Sequence, residues 1–291
     1  MNRYSLPLGA AFIIDPLQEN GFEAYVVGGC VRDRLLGRVP KDWDICTSAS
    51  PQQVIEVFGD KRVIETGLQH GTVTIVMPDG LYEVTTFRVD GAYSDNRHPD
   101  EVKFVKSLEK DLARRDFTIN AMAYNDRRGL VDPFGGEKDL ADGVIRCVGD
   151  AAARFHEDGL RLMRALRFAS KYGFRIEDGT AEAIHKCSHL LKNIAVERIN
   201  TELCRLLCGK SVLQVLLDYP DVITEIIPEM KPCVGFRQNN KYHEYNVYDH
   251  IAHAVSNYTG EDNVVNVTLL LHDIGKPNCY TEDERGGHFY G

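Results

Sequence analysis

Two carboxylates separated by one residue, Asp42 and Asp44, are the part of the sequence best suited to chemistry. Residues 41–46 around them are predicted to form a strand, in which alternate side chains point to opposite faces. Asp42 and Asp44 therefore share one face, and Trp43 and Ile45 share the buried one. Two carboxylates placed in this way can bind a divalent metal ion together.

A pair of glycines, Gly28 and Gly29, comes shortly before these carboxylates and ends a short apolar run. Residues 30–36 are predicted to form a helix, with Arg32 in its first turn. Glycines at the start of a helix let backbone N–H groups approach an anion. A phosphate cradle beside a metal site indicates nucleotide chemistry.

A predicted hairpin carries a third carboxylate. Residues 70–77 and 81–87 alternate as strands do, and residues 77–80 between them, MPDG, are typical of a tight turn. Glu83 lies on the second strand. It is either a further carboxylate beside the aspartate pair or a salt-bridged or exposed strand glutamate, and both interpretations stay open.

A second polar group lies where a helix is predicted from about Leu108. Its sequence, LARRDFTINAMAY, sets Arg115, Asp116 and Asn120 beside apolar residues. The preceding residues, 89–103, are polar and aperiodic, which predicts an exposed loop. Loops of this length are often functional.

From about residue 145 helical periodicity replaces strand alternation. The first predicted helix covers residues 154–172 and ends at Gly173. Opposite its apolar side falls a row of charged residues. That row consists of Asp158, Arg161, Arg164 and Arg167. The row is either a solvated basic face or an anion-binding surface.

The last segment contains an adjacent His-Asp pair, His272 and Asp273, within LLLHDIGKP. With His250 on a preceding helix, it resembles the HD phosphohydrolase superfamily, in which imidazoles and carboxylates can hold a divalent metal ion. These three residues are either a second metal site or a structural remnant of that fold. No later helix supplies a final aspartate ligand before Gly291, so we expect the segment to be truncated.

Composition limits the class of protein. The 291 residues, 43% hydrophobic and 26% charged, are typical of a soluble globular protein. No apolar run approaches the ~20 residues of a membrane helix, and no signal peptide is recognisable. The net charge of −9 argues against a nonspecific nucleic-acid coat, although residues 154–175 are locally basic. Cys204 and Cys208 are predicted core residues, and the eight cysteines are expected to be reduced thiols of a cytoplasmic protein.

Six motif-like stretches occur along the chain in this order: GGCVRDRLLG with DWDI, TGLQHGTVT, EVTTFR, RRDFTINAMA, VDPFGG and EDGLRLMRALRF. They resemble bacterial class II CCA tRNA nucleotidyltransferases and poly(A) polymerases, within the nucleotidyltransferase superfamily. The resemblance implies an α+β fold. It comprises a polymerase-β-like head of mixed sheet and helices (1–145), a helical neck for nucleobase recognition (146–215) and a helical body with the HD-type segment (216–291).

The resemblance also implies roles for individual residues. Asp42 and Asp44 would bind two Mg²⁺ ions, and residues 93–99 match a loop implicated in the switch from C to A addition. Nucleotide binding falls to residues in the family's phosphate, ribose and base motifs. They are Gly29, Arg32, Arg115, Asp116, Asn120, Asp158, Arg161, Arg164 and Arg167.

The implied activity is template-independent addition of CCA to the 3′ end of tRNA from CTP and ATP. No DNA or membrane partner is expected. Two alternatives stay open: a poly(A) polymerase or A-adding enzyme on the same scaffold, and phosphohydrolysis at the HD-type segment with a second divalent metal ion.

Overall fold

The computed structural model describes residues 6–59, 63–91, 102–239, 244–284 and 286–289. The chain forms two compact units, of which the first ends at Asp150 and the second begins at Ala151. The first unit is a mixed sheet with helices and the second is mainly helical. The predicted α+β fold is therefore confirmed, while the division of the second unit into neck and body stays a prediction.

A seven-stranded sheet forms the centre of the first unit. The strands of this unit are β1 (Ala24–Val27), β2 (Asp44–Thr47), β3 (Val63–Gly67), β4 (Thr72–Met77), β5 (Gly80–Thr86), β6 (Arg88–Asp90), β7 (Val102–Phe104), β8 (Ala123–Asn125), β9 (Gly129–Val131) and β10 (Val144–Ile145). The sheet order is β3-β4-β5-β2-β1-β8-β9. Only β2 and β5 are parallel among these neighbouring strands of the described chain.

Helices cover both faces of this sheet. They are α1 (Leu8–Glu19), α2 (Gly29–Leu35), α3 (Pro51–Phe58), α4 (Leu108–Ala113) and α5 (Gly136–Asp142). Gly9 of α1 packs so closely on Tyr82 of β5 that a Cβ there would lie 2.5 Å from its hydroxyl oxygen. On the opposite face Tyr25 and Phe87 of the sheet side form a buried cluster with Leu112 of α4. The core is thus built on both sides of β1, β2 and β5.

α3 starts with a capping box. The Gln53 backbone N–H donates to Ser50 Oγ at 3.3 Å, and the Ser50 N–H donates to Gln53 Oε1 at 2.8 Å. We expect Ser50→Ala to lower the free energy of unfolding by about 1 kcal/mol, and Ser50→Gly by only a few tenths, because glycine tolerates the cap position. Urea unfolding of both variants measures this difference, and equal losses would contradict the capping role.

The strand predicted over residues 41–46 begins later than expected. β2 starts at Asp44, so Asp42 precedes the strand rather than lying within it. The partner strand β1 stops at Val27, because Gly28, with φ 79°, turns the chain into α2. Residues before Asp44 therefore have no β1 partner.

The helix predicted from about Leu108 is correct only as far as Ala113, and its extension through RRDFTINAMAY is wrong. α4 ends at Ala113, a 3-10 helix covers Thr118–Asn120, and β8 follows. The Asp116 carboxylate accepts the Phe117 N–H at 2.8 Å, and such local bonds compete with helix formation. Pairing of β8 with β1 then uses this segment as sheet.

Two short strands stand at the ends of the predicted 89–103 loop. β6 and β7 pair with each other, with Arg88 opposite Phe104. Residues 92–101 lie outside the described residues, and with them the segment 93–99.

Eight α-helices are described in the second unit. They are α6 (Ala151–Glu157), α7 (Leu160–Tyr172), α8 (Asp178–Cys187), α9 (Val196–Leu207), α10 (Val212–Asp218), α11 (Pro220–Ile226), α12 (Val247–Asn257) and α13 (Asn263–Leu271). Three strands also occur there, contrary to the all-helical expectation: β11 (Arg175–Ile176) and the hairpin β12 (Tyr280–Asp283) with β13 (Gly286–Phe289). None of the described helices has the length and apolar run needed to cross a bilayer.

The single helix predicted over residues 154–172 is two helices, α6 and α7. The break falls at Asp158 and Gly159, where Asp158 Oδ1 accepts the Leu160 N–H at 3.1 Å. A carboxylate at this place satisfies an N–H that has no partner within the helix. A Cβ on Gly159 would lie 3.3 Å from Ile194, so the break also allows close packing.

The predicted burial of Cys204 and Cys208 is wrong. Cys204 is half-buried and Cys208 is exposed, because the buried stripe of α9 runs through Leu203 and Leu206 instead. All eight cysteines are free thiols.

Candidate active site

The register of β2 and β5 brings two carboxylates together. In this parallel pair Asp44 lies directly opposite Glu83, at the usual strand spacing of about 4.8 Å. Both side chains are exposed on the face that α1 leaves open. Glu83 therefore lies beside Asp44, as the first of the two interpretations requires, and Asp42 stands two residues away. The catalytic role of Glu83 stays a prediction.

These carboxylates have no hydrogen-bond or ion-pair partner among the described residues. Within the described part of the chain, neither a hydrogen bond nor an ion pair involves the side chains of Asp42, Asp44 or Glu83. Surrounding protein removes part of the hydration of Asp44 and raises its pKa. The nearby charge of Arg115 opposes this rise, and those of Glu83 and Asp42 add to it. Clustered, unneutralised carboxylate oxygens are a donor set that suits hard divalent cations such as Mg²⁺.

The glycine cradle lies at the end of β1. Gly28 has φ 79° and its N–H donates to the Met122 carbonyl at 3.0 Å. A Cβ at this position would lie 2.9 Å from Arg115 Nη1, and the backbone conformation itself disfavours other residues. Glycine is therefore required at 28, while Gly29 begins α2.

Three predicted nucleotide-binding residues form one network beside the cradle. Arg32 Nη1 donates to Asn120 Oδ1 at 2.6 Å, and Asn120 Nδ2 donates to Asp116 Oδ1 at 3.0 Å. Asp33 accepts from Arg32 Nε at 2.9 Å. The network fixes a buried guanidinium at the start of α2, so Arg32, Asp116 and Asn120 are brought together by the fold.

Asp111 was not singled out by the sequence analysis. It lies one helical turn before Arg115 and accepts from that side chain at 3.3 Å. Its neighbours Leu108 and Leu112 are buried with it. The sequence signal that could have identified Asp111 is a charged residue on the apolar side of a short helix, followed by an arginine at i+4.

The predicted pair Asp158 and Arg161 is arranged differently from expectation. Their side chains do not bond to each other: Asp158 Oδ2 pairs with Arg198 Nη2 at 3.2 Å, and Arg161 Nη1 donates to Glu157 Oε2 at 2.7 Å. Both groups stand at the start of α7 and are largely buried. Spacing along the chain does not reveal Glu157 and Arg198 as partners, since neither belongs to the charged row.

The prediction that the charged row lies on the face opposite the apolar side is wrong for its last residue, Arg167. Arg167 is buried, pairs with the buried Glu202, and lies with Cζ 4.0 Å from the centre of the Phe168 ring. Burial lowers the pKa of Arg167, and Glu202 opposes the shift. Arg164 is half-buried, 5.5 Å from the same ring. Arg167 thus faces the interior because α9 supplies its counter-charge, although its role in nucleotide binding stays a prediction.

His250, His272 and Asp273, here called the histidine cluster, lie close together in the second unit. The Nε2 atoms of His250 and His272 lie 3.3 Å apart, and each is within 3.4 Å of Asp273 Oδ2. Lys276 Nζ also contacts that oxygen, at 2.8 Å. The two imidazoles and the carboxylate are close enough to hold one metal ion.

Two stretches of this chain match known protein families. Residues 24–146 match the family model for the poly A polymerase head domain, and residues 173–233 match a probable RNA- and SrmB-binding site of polymerase A. CCA-adding enzymes of Ligilactobacillus salivarius and Enterococcus faecalis are each 50% identical, over 209 and 200 residues. Over residues 24–146 the chain therefore belongs to the poly A polymerase head-domain family, and it is similar to CCA-adding enzymes.

Each of these two family members is matched over part of its length. The matches cover 72% and 69% of this chain but 51% and 49% of those proteins. The chain therefore spans about half the length of the curated relatives it matches.

Solved structures of the family share the fold. A Bacillus stearothermophilus CCA-adding enzyme in complex with CTP superimposes with a TM-score of 0.73 at 36% identity, covering 94% of this chain and 65% of that one. A Thermotoga maritima CCA-adding enzyme complexed with tRNA gives 0.66 at 24% identity, covering 96% and 72%. At that lower identity the likeness shows the fold alone.

Proposed function

We propose that this chain carries out template-independent nucleotidyl transfer, adding CCA to the 3′ end of tRNA from CTP and ATP. One observation carries the proposal: the unpartnered carboxylates Asp44 and Glu83, opposite each other on β2 and β5, stand beside a glycine cradle and the Arg115 guanidinium. The 50% sequence identity to CCA-adding enzymes supports the choice of tRNA, CTP and ATP as substrates. A tRNA substrate places the activity in the cytoplasm.

The residues of the first unit divide the work of the transfer step. Backbone N–H groups at Gly29 and the guanidiniums of Arg32 and Arg115 bind and orient the triphosphate. Holding the α-phosphorus in line with the RNA 3′ hydroxyl supplies much of the rate, because little covalent chemistry is left to the protein. Asp116 and Asn120 fix the Arg32 side chain through their network.

Divalent cations fit the carboxylate site. Asp42 and Asp44 would hold two Mg²⁺ ions, with Glu83 as an additional oxygen donor. When bound, these ions supply charge neutralisation of the triphosphate and of the attacking and leaving oxygens.

The second unit contributes base choice and RNA binding in this proposal. Asp158 and Arg161 stand at the start of α7, where a carboxylate acceptor and a guanidinium donor can meet a base edge. The match of residues 173–233 to a probable RNA-binding family supports an RNA contact.

Incorporation assays with single nucleotides test the proposal. Purified protein is incubated with Mg²⁺ and tRNA ending before CCA, after C, or after CC, with each nucleoside triphosphate in turn. We expect two CMP additions and then one AMP. Addition of AMP alone to the CC end would identify an A-adding enzyme, and long A tails would identify a poly(A) polymerase.

The histidine cluster supports a second candidate function, metal-dependent phosphohydrolysis. His250, His272 and Asp273 converge within 3.4 Å of one another, and imidazole with carboxylate suits transition metal ions. This activity would be independent of the head, because it uses residues of the second unit only.

We expect the cluster to bind one Ni²⁺ or Mn²⁺ ion and Asp273→Asn to lose that ion while keeping nucleotide incorporation. Equilibrium dialysis measures the metal, and release of p-nitrophenol from its phosphodiester measures the hydrolysis. Asp283→Asn, which alters a carboxylate paired with His288 nearby in the chain, is the control. Failure of the unaltered protein to bind either ion would show that the cluster, with Lys276 on Asp273, is structural.

A further inference from the structure

Arg115 is held by fewer groups than the other arginine of the cradle. Its Nη2 donates to Asp111 Oδ2 at 3.3 Å, and over the described residues no other side chain accepts from it. Its Nε is buried and has no acceptor. Arg32, in contrast, donates to both Asp33 and Asn120. Asp111 is therefore the only described acceptor that fixes the direction of the Arg115 guanidinium.

The opposite end of the same guanidinium faces the cradle. Nη1 of Arg115 lies 2.9 Å from the position that a Cβ on Gly28 would take. Arg115 is also close enough to Asp44 for its charge to favour the ionised carboxylate. One nitrogen is thus anchored while the other is directed at the place where a triphosphate would bind.

The anchor itself is rigid. Asp111 is 1% exposed, and its Oδ1 accepts from the Arg88 backbone N–H at 3.2 Å and from Arg114 Nε and Nη2 at 3.0 and 2.9 Å. Its other oxygen, Oδ2, serves Arg115. A buried carboxylate with both oxygens engaged cannot rotate without losing several charge-assisted bonds.

We propose that Asp111 is a positioning residue for nucleotide binding: its Oδ2 anchors Arg115 so that the remaining guanidinium N–H groups face the triphosphate. The inference rests on the proposed function, which assigns Arg115 to the triphosphate. Asp111 acts through Arg115 and does not touch the nucleotide.

The test is a double-mutant cycle on CTP binding. Asp111→Asn keeps Oδ1 for Arg88 and Arg114 but replaces the acceptor that faces Arg115 with an NH₂ group. Calorimetry with CTP and Mg²⁺, without tRNA, gives Kd for the unaltered protein, Asp111→Asn, Arg115→Ala and the double variant. We expect Asp111→Asn to raise Kd about 10- to 100-fold. In the Arg115→Ala background it should have no further effect.

Asp139→Asn is the matched control for loss of a buried carboxylate. Asp139 is also buried in the first unit, where it accepts from Thr118 Oγ1 at 2.7 Å and from Arg146 Nε at 3.0 Å. This variant should lower the thermal midpoint and leave Kd for CTP unchanged. The same cycle with Arg114→Ala should show additive effects, because Arg114 uses the other oxygen of Asp111.

Each outcome decides the inference. An undiminished effect of Asp111→Asn in the Arg115→Ala background would overturn it and leave the assignment of Arg115 intact. Normal CTP binding by Arg115→Ala would overturn both. If Asp111→Asn does not fold, Arg115→Lys replaces it, because one ammonium cannot hold Asp111 and face the cradle with separate nitrogens. Weakened CTP binding by Arg115→Lys supports the anchor, and binding at the original strength refutes it.

Discussion

Asp44→Asn is expected to reduce nucleotide incorporation about 1,000-fold or more while the protein stays folded. The change removes one negative charge from the group that would hold both metal ions, and such ions contribute several kcal/mol of transition-state stabilisation. Asp44 is exposed and has no described partner, so the fold loses no contact. Single-turnover incorporation of CMP at saturating CTP measures the loss.

The stability of the same variant gives an independent check. The pKa of Asp44 is raised in the folded state by lost hydration and by Glu83 and Asp42, against the effect of Arg115. Its charged form therefore opposes folding above that pKa, and stability increases as the pH falls through it. Without metal at neutral pH, Asp44→Asn should have an unchanged or higher urea midpoint.

Added Mg²⁺ should reverse the order of stability. The ion stabilises the unaltered protein by binding only the folded state, and Asp44→Asn should lose most of that gain. Asp126→Asn is the control, because Asp126 is an exposed carboxylate of the same unit bound by Tyr124 at 3.0 Å. A metal-free midpoint that falls in Asp44→Asn, or incorporation near the normal rate, would contradict the assignment.

Local patterns predicted the parts of the first unit whose causes are local. The MPDG turn and the alternation of β4 and β5 depend on neighbouring residues, and both are found where expected. The placement of Glu83 beside Asp44 depends instead on the parallel pairing of β2 with β5. Spacing within one strand cannot show which other strand lies next to it.

The errors have the same physical origin. RRDFTINAMAY has helical periodicity, but Asp116 takes the Phe117 N–H and β1 takes the following residues as a strand. Arg167 has the spacing of a surface residue, yet Glu202 on another helix supplies the counter-charge that allows burial. Tertiary partners thus override local preference wherever a buried charge or an open sheet edge needs one.

Asp158→Ala is expected to reduce the preference for CTP over UTP by roughly 5- to 150-fold, which corresponds to about 1–3 kcal/mol for a paired base contact. Cytosine presents an amino donor beside a ring acceptor, and adenine presents the same pattern. Uracil and guanine present a carbonyl acceptor beside an N–H donor. A carboxylate and a guanidinium together accept the first pattern and refuse the second, so the protein needs no nucleic-acid template.

The structure adds a cost that the sequence did not predict. Because Asp158 caps α7 through the Leu160 N–H and pairs with Arg198, its loss should also lower the free energy of unfolding by about 1 kcal/mol. Glu177→Ala is the matched control: Glu177 caps α8 by accepting the Thr180 N–H at 2.9 Å. It should lose similar stability and keep the CTP to UTP ratio.

Single-nucleotide incorporation into tRNA lacking CCA measures the CTP to UTP ratio of Asp158→Ala and of Glu177→Ala. The assay is run at a temperature well below the unfolding midpoint of either variant. Arg198→Ala separates the two partners of Asp158. If Arg198 only restrains the carboxylate, its removal leaves base choice intact, because Asp158 still accepts from the amino group. An unchanged CTP to UTP ratio in Asp158→Ala would place base selection elsewhere and leave Asp158 as a helix cap.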